Sequence, residues 1–191
     1  TAGLGGLRAG GERLAPWRYI GEEKDVGPEL PPCGVLIRGV FERRRLLDLI
    51  RHFVLFSGED GKLSKKLAAY HQFYAVNNAV ENSKAVVPNP DNNRIGVVWH
   101  TQGSGKPLTM LFYANKVRQV KDMENPTLVF LTDRNDLDEQ LFQTFKQHGL
   151  PAEWADDDDR VQLRERLDRE AGGIIFSTIQ KFQTTDDEAE Y

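Results

Sequence analysis

Apolar positions along this chain recur with two periods, and the change between them divides it into elements. From Phe41 the spacing is helical: Leu46, Leu49, Ile50, Phe53 and Val54 share a stripe while Arg43, Arg44, Arg45 and Arg51 face elsewhere, predicting a helix to about Phe56. Ser57-Gly58-Glu59-Asp60-Gly61 then turns the chain. Ser64 is a suitable N-cap for a second helix over about 65–83, with Ala69, Phe73, Val76 and Val80 on one face. Pro88-Asn89-Pro90-Asp91-Asn92-Asn93 breaks that pattern ahead of a short apolar run, Ile95–Trp99, which reads as a strand.

A helix follows over about 106–120, then a strand near Thr127–Leu131 after the stop at Asn125-Pro126. Asp136 caps a helix in which Leu137, Leu141, Phe142 and Phe145 share a face, and the acidic run Asp156–Asp159 leads into a charged helix reaching Glu170. Gly172-Gly173 precedes a third apolar strand, Ile174–Thr178. Residues 1–34 hold eight of the seventeen glycines together with Pro28, Pro31 and Pro32, and read as loop or linker. Strands alternating with helices predict an α/β fold with a parallel sheet covered on both faces, and ligands in such sheets bind beyond the carboxyl ends of the strands. Trp17 and Trp99 read as packing residues, Trp99 closing a strand buried on both faces.

Composition narrows the class. With 191 residues, 39% hydrophobic and 28% charged, the chain suits one soluble globular domain, or one such domain plus an appendage. A net charge of −4 gives no bulk attraction for nucleic acid, so any such surface is local. Arg43-Arg44-Arg45 reads either as a solvated helix face or as a DNA contact. The single cysteine, Cys33, excludes an internal disulfide and a cysteine-rich zinc site and suits a reducing cytoplasm. No apolar run approaches the roughly 18 residues of a membrane span. Glu22-Glu23-Lys24 has the spacing of a nuclease Glu-x-Lys, but its glycine-rich setting reads as a solvated loop.

The chemistry concentrates at Gly103-Ser104-Gly105-Lys106, between the first strand and the helix that follows it. Backbone N–H groups of such a loop face an anion, the helix dipole favours negative charge, and the lysine reaches the outer phosphates. Pro107 stands where a Ser or Thr hydroxyl would hold Mg²⁺. It supplies no hydroxyl and no N–H and disfavours a helical Lys106, yet proline is tolerated in a first helical turn. The expectation is an intact fold with weakened Mg-nucleotide binding. Gln72, in Tyr70-His71-Gln72, has an amide that reads adenine bidentately; taken alone it is a solvent-facing helix residue. His71 reads as a helix-surface residue and His100 as part of the loop wall.

Four blocks carry a family resemblance: Tyr70–Asn77, Gly96–Lys106, Asn125–Asp138 and Phe176–Phe182. In this order they resemble the restriction (HsdR-type) subunit of type I restriction-modification enzymes. Leu36–Phe41 and Leu46–Phe53 resemble the same subunit upstream of its motor, so the likeness spans about residues 14–184. It implies a partial RecA-like P-loop NTPase lobe of a superfamily 2 DNA translocase. Residues 1–34 would be a linker following a nuclease domain, 35–62 a lead-in helix, and 63–191 the first lobe, cut short ahead of its Asp-Glu-Ala-His block.

The resemblance further implies a role for each matching residue. Gln72 would read adenine, and Gln102, Gly103, Ser104, Gly105, Lys106 and Pro107 would line the phosphates of ATP, Lys106 being the catalytic lysine. Mg²⁺ would accompany the nucleotide, with no protein metal ligand assigned. Thr132, Asp133 and Arg134 would line the DNA path at one strand end and Thr178 and Gln180 at the next, with capping the alternative for Asp133 and Asp136. Arg134 is the best suited to a phosphate, since its guanidinium pairs bidentately. The implied partners are double-stranded DNA and the methylation and specificity subunits; the implied activity is ATP-driven translocation coupled to cleavage, in the cytoplasm and without a membrane. Two rivals stand: a catalytically dead scaffold contacting DNA or partners without ATP, which Pro107 favours, and an unrelated phosphate-loop kinase, which leaves the three other blocks unexplained.

Overall fold

The computed structural model describes residues 16–21, 30–59, 62–86, 94–133, 135–154 and 160–182, which fall into two compact units, 1–116 and 117–191. The Glu-x-Lys at residues 22–24, the acidic run 156–159 and Arg134 lie outside the described residues, as do the side chains of Ser64, Asp136 and Leu137.

The first unit opens with two helices where one was predicted. Helix α1, Pro32–Val40, starts with proline at its first position, where the missing N–H costs no bond. Residues 32–34, read as linker, are therefore helical. Helix α2, Arg43–His52, is separated from α1 because Glu42 leaves the helical conformation and its carboxylate accepts from the backbone N–H groups of Arg44 and Arg45. Those two bonds hold the Glu42 carboxyl below the usual range. Of the predicted stripe, Leu49 and Phe53 are buried but Ile50 is exposed.

The predicted helix also ends early. Strand β1, Val54–Glu59, pairs antiparallel with β2, Lys62–Leu67, from Val54↔Leu67 to Glu59↔Lys62. Leu55 is buried and Phe56 exposed, the period of a half-buried strand rather than a helix. The sequence signal was Asp60-Gly61, a pair favoured in two-residue hairpin loops, set between these runs.

Helix α3, Tyr70–Val86, consequently begins five residues later than the Ser64 cap predicted. Its apolar face, Phe73, Val76 and Val80, is buried as expected. Trp17 packs on Phe73 and Tyr74 with ring centroids 5.6 and 6.1 Å away, and donates to the Tyr19 carbonyl. A Cβ on Gly39 would lie 2.4 Å from the Trp17 ring, so this contact requires glycine.

Residues 95–99, predicted as a buried strand, pair with no strand among the described residues. They lie beside α3, held where Asn82 Nδ2 donates to the Ile95 carbonyl at 2.9 Å. Val97 and Trp99 are 92% and 89% exposed, so Trp99 is not a packing residue here. β-branched residues favour a pleated surface only where a neighbouring strand accepts the backbone hydrogen bonds and covers a face. Helix α4, Lys106–Val117, follows and buries Leu111, Phe112 and Ala114.

The second unit is a three-stranded parallel sheet in the order β3-β5-β4, with β3 Leu128–Thr132, β4 Ala152–Trp154 and β5 Ile174–Thr178. Helices α5, Asn135–Gln147, and α6, Arg160–Leu167, supply the crossovers. The short β4 was not foreseen: three residues give too little alternation to read. One face of the sheet carries an aromatic cluster. Phe176 stacks on Phe130 at 5.1 Å and 12°, and meets Phe145 and Phe142 of α5 edge-on at 5.0 and 5.8 Å. Ile175 turns to the other face against Leu163 and Leu167 of α6. That cover does not extend over β3, where Val129 and Leu131 stay exposed, so the sheet is not buried on both faces throughout.

Candidate nucleotide loop and strand-end surface

The phosphate-loop motif forms a tight turn. Gly103 and Gly105 take φ of +79° and +77°, a region that side chains rarely enter, and Ser104 N–H donates to the Thr101 carbonyl at 3.3 Å. Such alternation produces a concave array of backbone N–H groups suited to an anion. The Gly105 carbonyl accepts the first α4 bond, from Thr109 N–H at 3.1 Å, and the Thr109 hydroxyl reaches the same oxygen at 3.4 Å. Lys106 is the first helical residue despite the proline after it, and Pro107 the second, where its missing N–H breaks no bond. Gln102, Gly103, Lys106 and Pro107 are exposed, and the Lys106 ammonium donates back to the Thr101 carbonyl at 3.3 Å.

Gln72 is 5% exposed, not a solvent-facing residue. Its Oε1 accepts from Ala69 N–H at 3.0 Å, and Ala69 accepts the first α3 bond from Phe73. Gln72 is thus the third-position glutamine of a capping arrangement, reaching back to the residue that begins its own helix. Its Nε2 donates to the carbonyls of Ser104 at 3.3 Å and Gly105 at 3.1 Å. A trans peptide points its C=O and N–H in opposite directions. Holding these two carbonyls therefore turns the N–H groups of Gly105 and Lys106 the other way. A primary amide has two donors and two acceptor sites, so only one lone pair on Oε1 remains free.

His71, read as a surface residue, is half-buried beside this latch and donates through Nε2 to the Ser104 carbonyl at 3.3 Å. Its ring meets that of His100 edge-on at 4.9 Å. Two buried polar atoms here have no partner among the described residues, His100 Nδ1 and Ser104 Oγ. Burial holds His100 below the ordinary imidazole range, and positive charge on His71 and Lys106 acts in the same direction.

A second arrangement was not legible in the sequence. The Lys116 ammonium lies 2.6 Å from both Asp48 oxygens and also donates to Asn77 Oδ1, while His52 Nδ1 lies 2.7 Å from Asp48. Asn115 donates to the His52 carbonyl at 3.4 Å. This clasp joins α2, α3 and α4. Nothing in the spacing signals it, because Asp48 and Lys116 are 68 residues apart.

In the second unit Thr132, Asp133, Thr178 and Gln180 gather at the carboxyl ends of adjacent parallel strands. Thr132 and Thr178 are register partners ending β3 and β5, Thr178 being buried. Just beyond them, exposed Gln180 donates through Nε2 to the Asp133 carbonyl at 3.1 Å, tying the two strand ends together. Among the described residues no cluster of three metal-ligating side chains occurs, and no helix is long and apolar enough to cross a membrane.

The chain matches a family model described as SWI2/SNF2 ATPase over residues 71–191. It is 44% identical, across its whole length, to the type I restriction enzyme HindI endonuclease subunit of Haemophilus influenzae, covering 19% of that protein. It is also 44% identical, over 78% of its length, to the MjaIXP type I restriction enzyme endonuclease subunit named in Methanocaldococcus jannaschii, covering 14% of it. A Staphylococcus aureus endonuclease subunit, SauCOLORF180P, shows 34% identity over 58% of the chain and 11% of its own length. The chain thus spans about a fifth or less of these relatives. With a strand-end surface on a parallel sheet, a glycine loop opening a helix, and this likeness along its length, the chain belongs to the SWI2/SNF2 ATPase family and resembles the endonuclease subunits of type I restriction enzymes.

Proposed function

We propose that this chain contributes the ATP-binding part of a DNA-translocating motor in a type I restriction endonuclease subunit. The observation that carries the reading is the Gln72 latch, which holds the Ser104 and Gly105 carbonyls and so turns the N–H groups of Gly105 and Lys106 away from the glutamine. Loop N–H groups and Lys106 would hold the phosphates, and the ammonium would exchange the Thr101 carbonyl for a phosphate oxygen. ATP supplies the phosphoryl group whose transfer drives such motors. Gln72 would read adenine N6–H through the free lone pair of Oε1; a second, donating contact would require one loop bond to open.

Mg²⁺ would be held through the phosphates alone, since position 107 offers no hydroxyl. Double-stranded DNA would run past Thr132, Asp133, Thr178 and Gln180, with Arg134 as a phosphate partner. In that role the chain would work beside methylation and specificity subunits in the cytoplasm, residues 63–191 serving as the first lobe, and cleavage would depend on nuclease residues outside this stretch. Translocation also requires nucleotide-driven closure of two lobes, so the chain alone would bind without running.

Titration with a non-hydrolysable ATP analogue, with and without Mg²⁺, tests the reading. Saturable binding that Mg²⁺ strengthens by less than about threefold is expected, and Pro107→Ser should increase the Mg²⁺ effect to about tenfold. No saturable binding would sink the reading. Pro107 would then favour the second one, a scaffold that contacts DNA or partner subunits without nucleotide.

A further inference from the structure

Two buried polar atoms at the phosphate loop lack partners among the described residues, and both belong to its first stretch: His100 Nδ1 and Ser104 Oγ. The large majority of buried polar groups in native proteins are hydrogen-bonded, and an exception calls for a specific explanation, a bound ion among them. Ser104 sits inside the glycine turn, and its carbonyl is already engaged by Gln72 and His71, leaving the hydroxyl uncommitted. His100 stands at the entrance of the loop with its ring against His71. The titratable groups acting on it are His71 from α3 and Lys106 from the start of α4; Asn78 and Asn82, which share its cavity along α3, are neutral.

We propose that His100 is a further phosphate-responsive residue of this loop, gaining a proton when a polyphosphate enters, so that nucleotide binding and proton uptake are linked. The inference rests on the nucleotide-binding reading above. Its physical basis is the sign of the local field. Without an anion, burial, His71 and Lys106 all disfavour an added proton on the His100 ring. A bound triphosphate reverses that sign, and the proton taken from solvent resides on the imidazole as long as the anion remains. No covalent bond changes. Ser104 Oγ gains an acceptor in the same event and donates to a phosphate oxygen.

The sign of the pH dependence follows. Binding raises the His100 pKa from its depressed value, so affinity is greatest below the free-state value and falls as pH rises through the bound-state value. One linked proton limits the slope to about tenfold per pH unit. His71 stays a neighbour throughout and contributes a fixed hydrogen bond to the Ser104 carbonyl, so His71→Gln should alter affinity while leaving the linkage in place.

The test is calorimetric titration of the full chain with inorganic tripolyphosphate and with a non-hydrolysable ATP analogue, from about pH 5.5 to about pH 8, in buffers of differing ionisation enthalpy. We expect net proton uptake and at least a threefold steeper fall of affinity with pH for the wild type than for His100→Gln. Ionisation of the ligand's own phosphate is common to both proteins and cancels in that comparison. Histidine resonances of the wild-type protein, followed through pH with and without tripolyphosphate, provide a reading that needs no variant: one imidazole should titrate at higher pH when the ligand is bound. Saturable binding with equal pH slopes in the two proteins, or no histidine shift, overturns the proposal and leaves the nucleotide reading intact. Absence of binding at every pH overturns both.

Discussion

Gln72 Nε2 lies 3.1 Å from the carbonyl oxygen of Gly105, and a Cβ placed on Gly105 would approach the same nitrogen to 2.9 Å. The amide that caps the start of α3 and the phosphate loop are therefore built against each other, with no room for a side chain between them. The glutamine side chain satisfies one N–H of its own helix start and two carbonyls of a loop more than thirty residues away.

Replacing Gln72 by Ala should leave Ala69 N–H and both loop carbonyls without this partner and cost roughly 1–3 kcal/mol in denaturant unfolding. With the loop released, ATP and GTP affinity should fall alike, by about tenfold, which is about 1.4 kcal/mol. A loss confined to ATP would show that base reading, rather than the latch, dominates this residue's contribution.

Gly103 and Gly105 have almost the same φ, but open space surrounds a Cβ at Gly103 while the latch occupies that space at Gly105. Gly103→Ala should therefore cost only its backbone strain, about 1 kcal/mol. Gly105→Ala adds displacement of the glutamine and should abolish measurable nucleotide binding. Thermal melts and titrations of the two variants side by side provide the check; equal effects would refute the latch.

Asp48 sets an acid limit on the first unit. Burial pushes its carboxyl up, but hydrogen bonds from His52 and Lys116 outweigh that and hold it below the ordinary aspartate value. A carboxyl held low stabilises the fold above its unfolded pKa, about 3.9, and that contribution is lost as pH falls through the lower folded value. Asp48→Asn should cost roughly 1–3 kcal/mol at neutral pH. It should also flatten the decline of stability below about pH 4, as followed by urea unfolding at a series of pH values.

Val97 and Trp99 expose apolar surface on a backbone stretch without a strand partner among the described residues, a recognised template for association. Val97→Thr with Trp99→Ser should lower self-association of the isolated chain, measured by sedimentation at several concentrations. Unchanged sedimentation would mean that another surface mediates contact.

Much of the fold was readable where period and local chemistry agree. The strand ending at Thr178, the face shared by Leu141, Phe142 and Phe145, and the glycine loop opening α4 each depend on neighbours within a few residues. The hairpin after His52 was misread because Phe53, Val54 and Phe56 continue a helical stripe almost as well as they alternate, and only pairing with 62–67 decides between them. The strand expected at 95–99 failed for the converse reason. Its residues have the propensity, but a strand is a property of two segments, and no partner for it lies among the described residues.

The candidate site divides along the same line. Local sequence determined that residues 103–106 turn tightly, that proline is tolerated at 107, and that a glutamine stands at 72, since φ preferences and helix-end chemistry act over a turn or less. Only the tertiary structure decided that Gln72 spends its donors on Ser104 and Gly105, that His71 and His100 share an edge beside them, that Thr132 stands opposite Thr178, and that Lys116 closes on Asp48. Those relations arise from packing among segments distant in the chain, where hydrogen-bonding capacity must be satisfied by whichever groups the fold brings within reach.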